Sequence, residues 1–144
     1  MNRFSQEWEI HYSKYLLTSP QWPFSDVIRL FRRYVPEPHS DRTVLELGFG
    51  VGANIPFFTQ SGANFWGIEG SESAVQETRR RLPHLSDRLC VGDFTSALPI
   101  SDVDVVIDRS SITHNDTDAI LATLKLVENA LAPQGLLLAT DWFS

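Results

Sequence analysis

The chain has 144 residues, 42% of them apolar, with 12 basic against 18 acidic residues and a formal charge of −6. That length fits one domain with its own core, and the acidic balance disfavours a broad phosphate-binding face, so no nucleic-acid partner is expected. The lone cysteine, Cys90, leaves no disulfide framework, no metal-ligand cluster is legible, and no apolar run reaches membrane-spanning length, which together imply a cytoplasmic protein with no membrane partner.

Residues 5–17 place Trp8, Tyr12 and Tyr15 at helical spacing, with Ile10, Leu16 and Leu17 among them, and this predicts an amphipathic helix. Pro20 and Pro23 break it. A second helix is predicted over Ser25–Tyr34, with Ser25 as N-cap, an apolar face of Val27, Ile28, Phe31 and Tyr34, and Pro36 and Pro38 beyond its end.

The stretch Thr43-Val44-Leu45-Glu46-Leu47-Gly48-Phe49-Gly50-Val51-Gly52-Ala53-Asn54 reads as a buried strand turning into a helix. Its apolar residues suit a parallel sheet covered on both faces, and glycines let the backbone turn sharply and approach a ligand closely. The free N–H groups of the helix that opens near Gly52 would point into the same crevice. Gly48-x-Gly50-x-x-Ala53 also fits the dinucleotide fingerprint. Glu46, two residues before the first glycine, is out of place beside a pyrophosphate and suits a cationic ligand.

Residues 53–61 are predicted as the first crossover helix, with Pro56 in its opening turn and Gly62 closing it. Phe65-Trp66-Gly67-Ile68-Glu69-Gly70-Ser71 supplies a second strand ending in an acid. Ser71 and Glu72 open the next helix, Arg79, Arg80 and Arg81 favour its negative end, and Pro83 stops it. Leu89-Cys90-Val91 forms a third strand in which Cys90 is read as a small core residue. The link from Phe94 to Val103 is too short for a crossover helix and is predicted as loop. Asp104-Val105-Val106-Ile107-Asp108 is the fourth strand, followed by a loop from Arg109 to Asp116. There Arg109 either pairs with an acid or positions an anion, His114 is a base or a surface imidazole, and Asn115 or Asp116 caps the helix carrying Ile120, Leu121, Leu124, Val127 and Leu131. Ala132-Pro133-Gln134-Gly135 reads as a turn and Leu136 to Asp141 as a fifth strand, whose open edge is expected to recruit a second copy as a homodimer.

The acid followed by Gly-x-Gly-x-Gly, Glu69 at the second strand's end, Val91-Gly92-Asp93-Phe94 and the fourth strand, in that order, resemble the class I S-adenosylmethionine-dependent methyltransferases. The resemblance implies an α/β fold: a three-layer Rossmann-like parallel sheet of order 3-2-1-4-5 with helices on both faces. Residues 1–40 become an N-terminal helical segment, either a lid or plain packing, and residues 41–144 the cofactor-binding core. It implies S-adenosylmethionine as cofactor, with Glu46, Gly48, Gly50, Gly52 and Asn54 at its methionine end, Glu69 and Gly70 at the ribose, Asp93 and Phe94 at the adenine, and Asp108 beside the transferable methyl. His114 is then the candidate base and Arg109 the candidate for positioning an acceptor, taken to be a small molecule. Glu69, read as an exposed ribose clamp, should contribute little to the stability of the empty protein. Members of the family usually continue through a further helix and two strands, so the sequence looks like a truncated, cofactor-binding part. A non-catalytic S-adenosylmethionine-binding module is the first alternative, and a nicotinamide-dependent oxidoreductase using the same glycine turn is the second.

Overall fold

The computed structural model describes residues 6–143, apart from the side chain of Leu17; residue 5, where the first helix is predicted to start, lies outside the described residues. Five strands pair in parallel in the order β3-β2-β1-β4-β5. They are β1 Thr43–Leu47, β2 Asn64–Glu69, β3 Leu89–Val91, β4 Val103–Arg109 and β5 Leu131–Thr140. The order 3-2-1-4-5 and the α/β class are those expected. The chain winds outward from β1 to β2 and β3, then crosses back to β4. That reversal opens a crevice between the carboxyl ends of β1 and β4, where ligands of such sheets bind.

The alternation of strand side chains sends Val44, Phe65, Val105 and Ile107 to one face, where they form a core with Phe31 of α2 (Ser25–Tyr34), Ile55 and Phe58 of α3 (Ile55–Gln60) and Val75 of α4 (Glu72–Arg81). Leu45, Leu47, Ile68 and Val106 face the other way, against Val127 of α5 (Thr117–Ala130), Ile112 and the rim of Trp66 and Trp142. The stretch after Phe94 holds no helix, as its length requires. Among the described residues no helix is long and apolar enough to cross a membrane.

Local signals hold at most boundaries. The Ser71 side chain caps α4 by accepting from the Ala74 N–H at 3.2 Å, and Asp116 caps α5 by accepting from the Ala119 N–H at 2.8 Å. Pro56 sits in the first turn of α3. Ser25 is a different case: it is the first helical residue, and Phe24, in extended backbone, takes the cap position without a side-chain bond. Residues 132–135 are also not a simple turn. β5 pairs with β4 already at Leu131, and the residues that follow bulge out before pairing resumes at Leu136, with Gln134 at φ 65. Cys90 is half-buried rather than a core residue, because β3 is the edge strand and its neighbour Val91 is 45% exposed. The basic cluster is structural: Arg79 donates to the Leu89 carbonyl through Nε at 3.1 Å, Arg80 pairs with Glu77, and Arg81 donates to the Val51 carbonyl.

Candidate functional site

A cleft of about 750 Å³ opens over the carboxyl ends of β1, β2 and β4 and is roofed by α1 (Gln6–Tyr15). Its floor is the turn after β1. Gly48 and Gly50 have φ of 65 and 58, a backbone conformation that residues carrying a Cβ rarely adopt. A Cβ at Gly48 would stand 2.2 Å from Ser111 Oγ, and one at Gly50 would stand 2.6 Å from the Tyr12 hydroxyl. Gly52, expected in the same role, lies off the cleft and packs toward Thr78 and Ile55.

Glu46 stands at the base of the cleft, 3% exposed. Its Oε1 accepts from Asn54 Nδ2 at 2.8 Å, and Asn54 Oδ1 accepts from the Phe24 N–H at 2.9 Å, so Asn54 is fixed between the two. Oε2 is buried without a hydrogen-bond partner. Burial pushes the Glu46 carboxyl up to about 8; the Asn54 amide pulls the other way, and the nearby Asp108 and Glu69 carboxylates add to the rise.

Glu69 is 4% exposed. Oε2 accepts from the Gly50 N–H at 2.8 Å and Oε1 from the Ser71 N–H at 2.9 Å, which joins the two turns flanking the crevice. Burial raises its carboxyl above the usual range, and these N–H bonds oppose the rise. The exposed clamp expected from the sequence is therefore corrected to a buried, doubly bonded carboxylate. Gly70, Asp93 and Phe94 line the same side of the cleft. Asp93 folds its own turn by accepting from the Thr95 N–H at 2.9 Å and the Thr95 hydroxyl at 2.7 Å.

Asp108 is corrected more sharply. It is fully buried, is not among the residues lining the cleft, and has both oxygens in use. Oδ1 accepts from the Ser111 and Ile112 N–H groups at 3.1 and 3.0 Å, and Oδ2 from Trp142 Nε1 at 2.6 Å. Asp108 thus shapes the loop after β4, and burial raises its carboxyl against these bonds.

Arg109 lines the cleft with its charge already matched. Its Nε lies 3.5 Å from Asp26 and Nη1 3.5 Å from Asp141, and the guanidinium stacks 3.7 Å above the Phe24 ring. Of the two readings, pairing with an acid is the one observed. His114 is exposed at the cleft rim, its ring centroid 5.4 Å from that of Trp8 in an edge-on contact.

Trp8, Tyr12 and Tyr15 of α1, expected from the sequence to form a helix that is either a lid or plain packing, reach the cleft, and so does His11, which was not singled out. Burial raises the Tyr12 phenol, with Glu69 and Glu46 adding to it. Glu9 anchors this helix to the start of α4, accepting from Ser71 Oγ at 2.5 Å and from the Ser73 hydroxyl. Among the described residues no three His, Cys, Asp or Glu side chains gather to hold a metal ion.

A family model described as a methyltransferase domain matches residues 44–135, the stretch from β1 into β5. No curated protein matches the chain. Among solved structures, the glycopeptide N-methyltransferase MtfA in complex with sinefungin is 26% identical with a TM-score of 0.68, over 80% of this chain and 48% of that one. The same enzyme with (S)-adenosyl-L-methionine gives 25% and 0.69, over 82% and 49%. A TehB-like SAM-dependent methyltransferase from Corynebacterium glutamicum shares the fold at 15% identity and a TM-score of 0.70, over 93% of this chain and 70% of that one. The chain thus spans about half the length of MtfA.

Proposed function

We propose, from the premise that this chain belongs to the methyltransferase domain family, that it binds S-adenosylmethionine in the cleft and directs methyl transfer to a small-molecule acceptor. The observation that carries the reading is the buried Glu46, with one oxygen unpartnered beside a glycine turn that leaves no Cβ in the way. A buried carboxylate with a free lone pair calls for a cation, and the ammonium of the cofactor's methionine end is one. Glu69 and Gly70 would take the ribose, since a carboxylate offers about four lone-pair sites and the Gly50, Ser71 and Gly70 N–H groups leave Glu69 with capacity to spare. Asp93 and Phe94, which line the cleft beside Gly70, would take the adenine.

When bound, the cofactor supplies a sulfonium methyl already activated for in-line displacement. The chain's own task is alignment and exclusion of water. The aromatic side chains of α1 roof the cleft, and His114 at its rim is the residue available to accept a proton from a hydroxyl or ammonium acceptor. Arg109 is engaged by Asp26 and Asp141, which leaves it to shape the wall rather than to recruit an anion. The nicotinamide alternative is disfavoured because Glu46 would face a pyrophosphate. The proposed compartment is the cytoplasm, and the proposed partner a second copy paired along the edge of β5; sedimentation as a monomer at every concentration would exclude that partner.

Calorimetric titration with S-adenosylhomocysteine, with NAD as control, tests the cofactor. Binding of the first alone is expected; binding of NAD alone, or of neither by folded protein, overturns the reading. Binding without methyl transfer to any amine or hydroxyl acceptor would leave the non-catalytic alternative in its place.

A further inference from the structure

Glu46 sits in an arrangement that a permanent carboxylate would not tolerate. It is almost fully buried, has one neutral hydrogen-bond donor in Asn54, and leaves its second oxygen unpartnered. The groups that face it from each neighbouring element are acids or weak acids: Tyr12 from α1, Glu69 from β2 and Asp108 from β4. Glu69 and Asp108 each accept two or three hydrogen bonds of their own. Arg109, the arginine on the cleft wall, is held by Asp26 and Asp141, and among the described residues no cation pairs with Glu46. An isolated buried anion among other anions takes up a proton instead.

We propose that Glu46 is protonated in the empty cleft and releases that proton to solvent when a ligand's ammonium group docks against it. This rests on the assignment of the cleft to an adenosyl amino-acid ligand. The balance is simple: the carboxylic acid becomes a carboxylate, the ammonium stays charged, and one proton passes to the buffer. The docked ammonium supplies the partner that the free oxygen lacks, and a carboxylate facing a cation keeps its charge. The rise of the Glu46 carboxyl to about 8 sets the range, so at about pH 6.5 most empty molecules carry the proton. Between pH 6 and 7.5, roughly, affinity should then rise about tenfold per pH unit, levelling off above the carboxyl's own titration.

The test is titration calorimetry with S-adenosylhomocysteine at about pH 6.5, repeated in buffers that differ in ionisation enthalpy; the slope of observed against buffer enthalpy counts the protons released. Close to one is expected for the wild-type chain and near zero for Glu46→Gln, which keeps the shape and the acceptor for Asn54. Methylthioadenosine, which lacks the amino-acid end, should bind the wild-type chain without release, so the proposal stays testable if the variant fails to fold. A slope near zero for S-adenosylhomocysteine on the wild type, or equal release with methylthioadenosine, overturns the proposal. Release that persists in Glu46→Gln does so as well, since the proton would then come from the ligand. Failure of both ligands to bind folded protein instead overturns the cofactor assignment on which the proposal rests.

Discussion

The Glu69 carboxylate accepts N–H bonds from Gly50 and Ser71, which belong to the turns after β1 and β2. Substitution by alanine would strip an acceptor from two buried backbone donors, each costing about 1–3 kcal/mol, while relieving the burial of a charge. Glu69→Ala is therefore expected to lower the unfolding free energy of the empty protein by about 2 kcal/mol in urea titration, in addition to weakening adenosyl ligands. A change below roughly 0.5 kcal/mol would mean that water replaces the carboxylate and that the turns hold without it. That Glu69 ends its strand was readable from the chain. Its burial was not, since the phenol of Tyr12 that comes over it arrives from a distant helix. Asp108 makes the same point: its place at the end of β4 was legible, and its direction, toward Trp142 rather than the cleft, was set by the loop that folds over it.

At the scale of elements, α1 is the segment that roofs the cleft. It has no buried residue of its own. Its anchor is the Glu9 carboxylate at the start of α4, where the Ser71 and Ser73 hydroxyls hold that carboxyl below its usual range. An anion at a helix N-terminus is worth on the order of 1 kcal/mol. Glu9→Ala should speed amide exchange throughout α1 by about tenfold while leaving the protection of β1 and β4 unchanged. The sign of the pH effect follows from a depressed carboxyl: docking is fully present above the ordinary value of 4.5 and is lost as pH falls through the lower folded value. Wild-type α1 at low pH should thus exchange like the variant. Uniform exchange in both proteins at neutral pH would show that aromatic packing on Trp8 and Tyr12 alone keeps α1 in place.

Across the whole molecule, the buried acids among the described residues are Glu46, Glu69 and Asp108, all raised by burial. The unfolded chain gives up these protons at lower pH than the folded one, so stability is greatest at low values of this window and falls as pH rises. For Glu46 the fall runs from 4.5 to about 8. The empty protein should accordingly show a higher urea midpoint at about pH 5.5 than at about pH 8, the unfolding free energy differing on the order of a few kcal/mol, and Glu46→Gln should flatten that slope. A midpoint that rises with pH across the same window would show that these carboxylates are ionised in the empty fold.

What the sequence determined by itself was local in origin. A strand run meeting glycines at alternate positions dictates a tight turn, Ser71 and Asp116 cap the helices that follow them, and a link as short as that after Phe94 cannot hold a crossover helix. The order 3-2-1-4-5, expected from the resemblance to the class I methyltransferases, is the one the strands adopt. Tertiary structure alone decided which side chains of the crevice face a ligand. Arg109 meets Asp26 and Asp141, Glu9 meets Ser71, and Glu46 is left without a cation, all through contacts between residues remote in the chain. Backbone turns follow from a few neighbouring residues, whereas the charge state and direction of a buried side chain depend on everything packed around it.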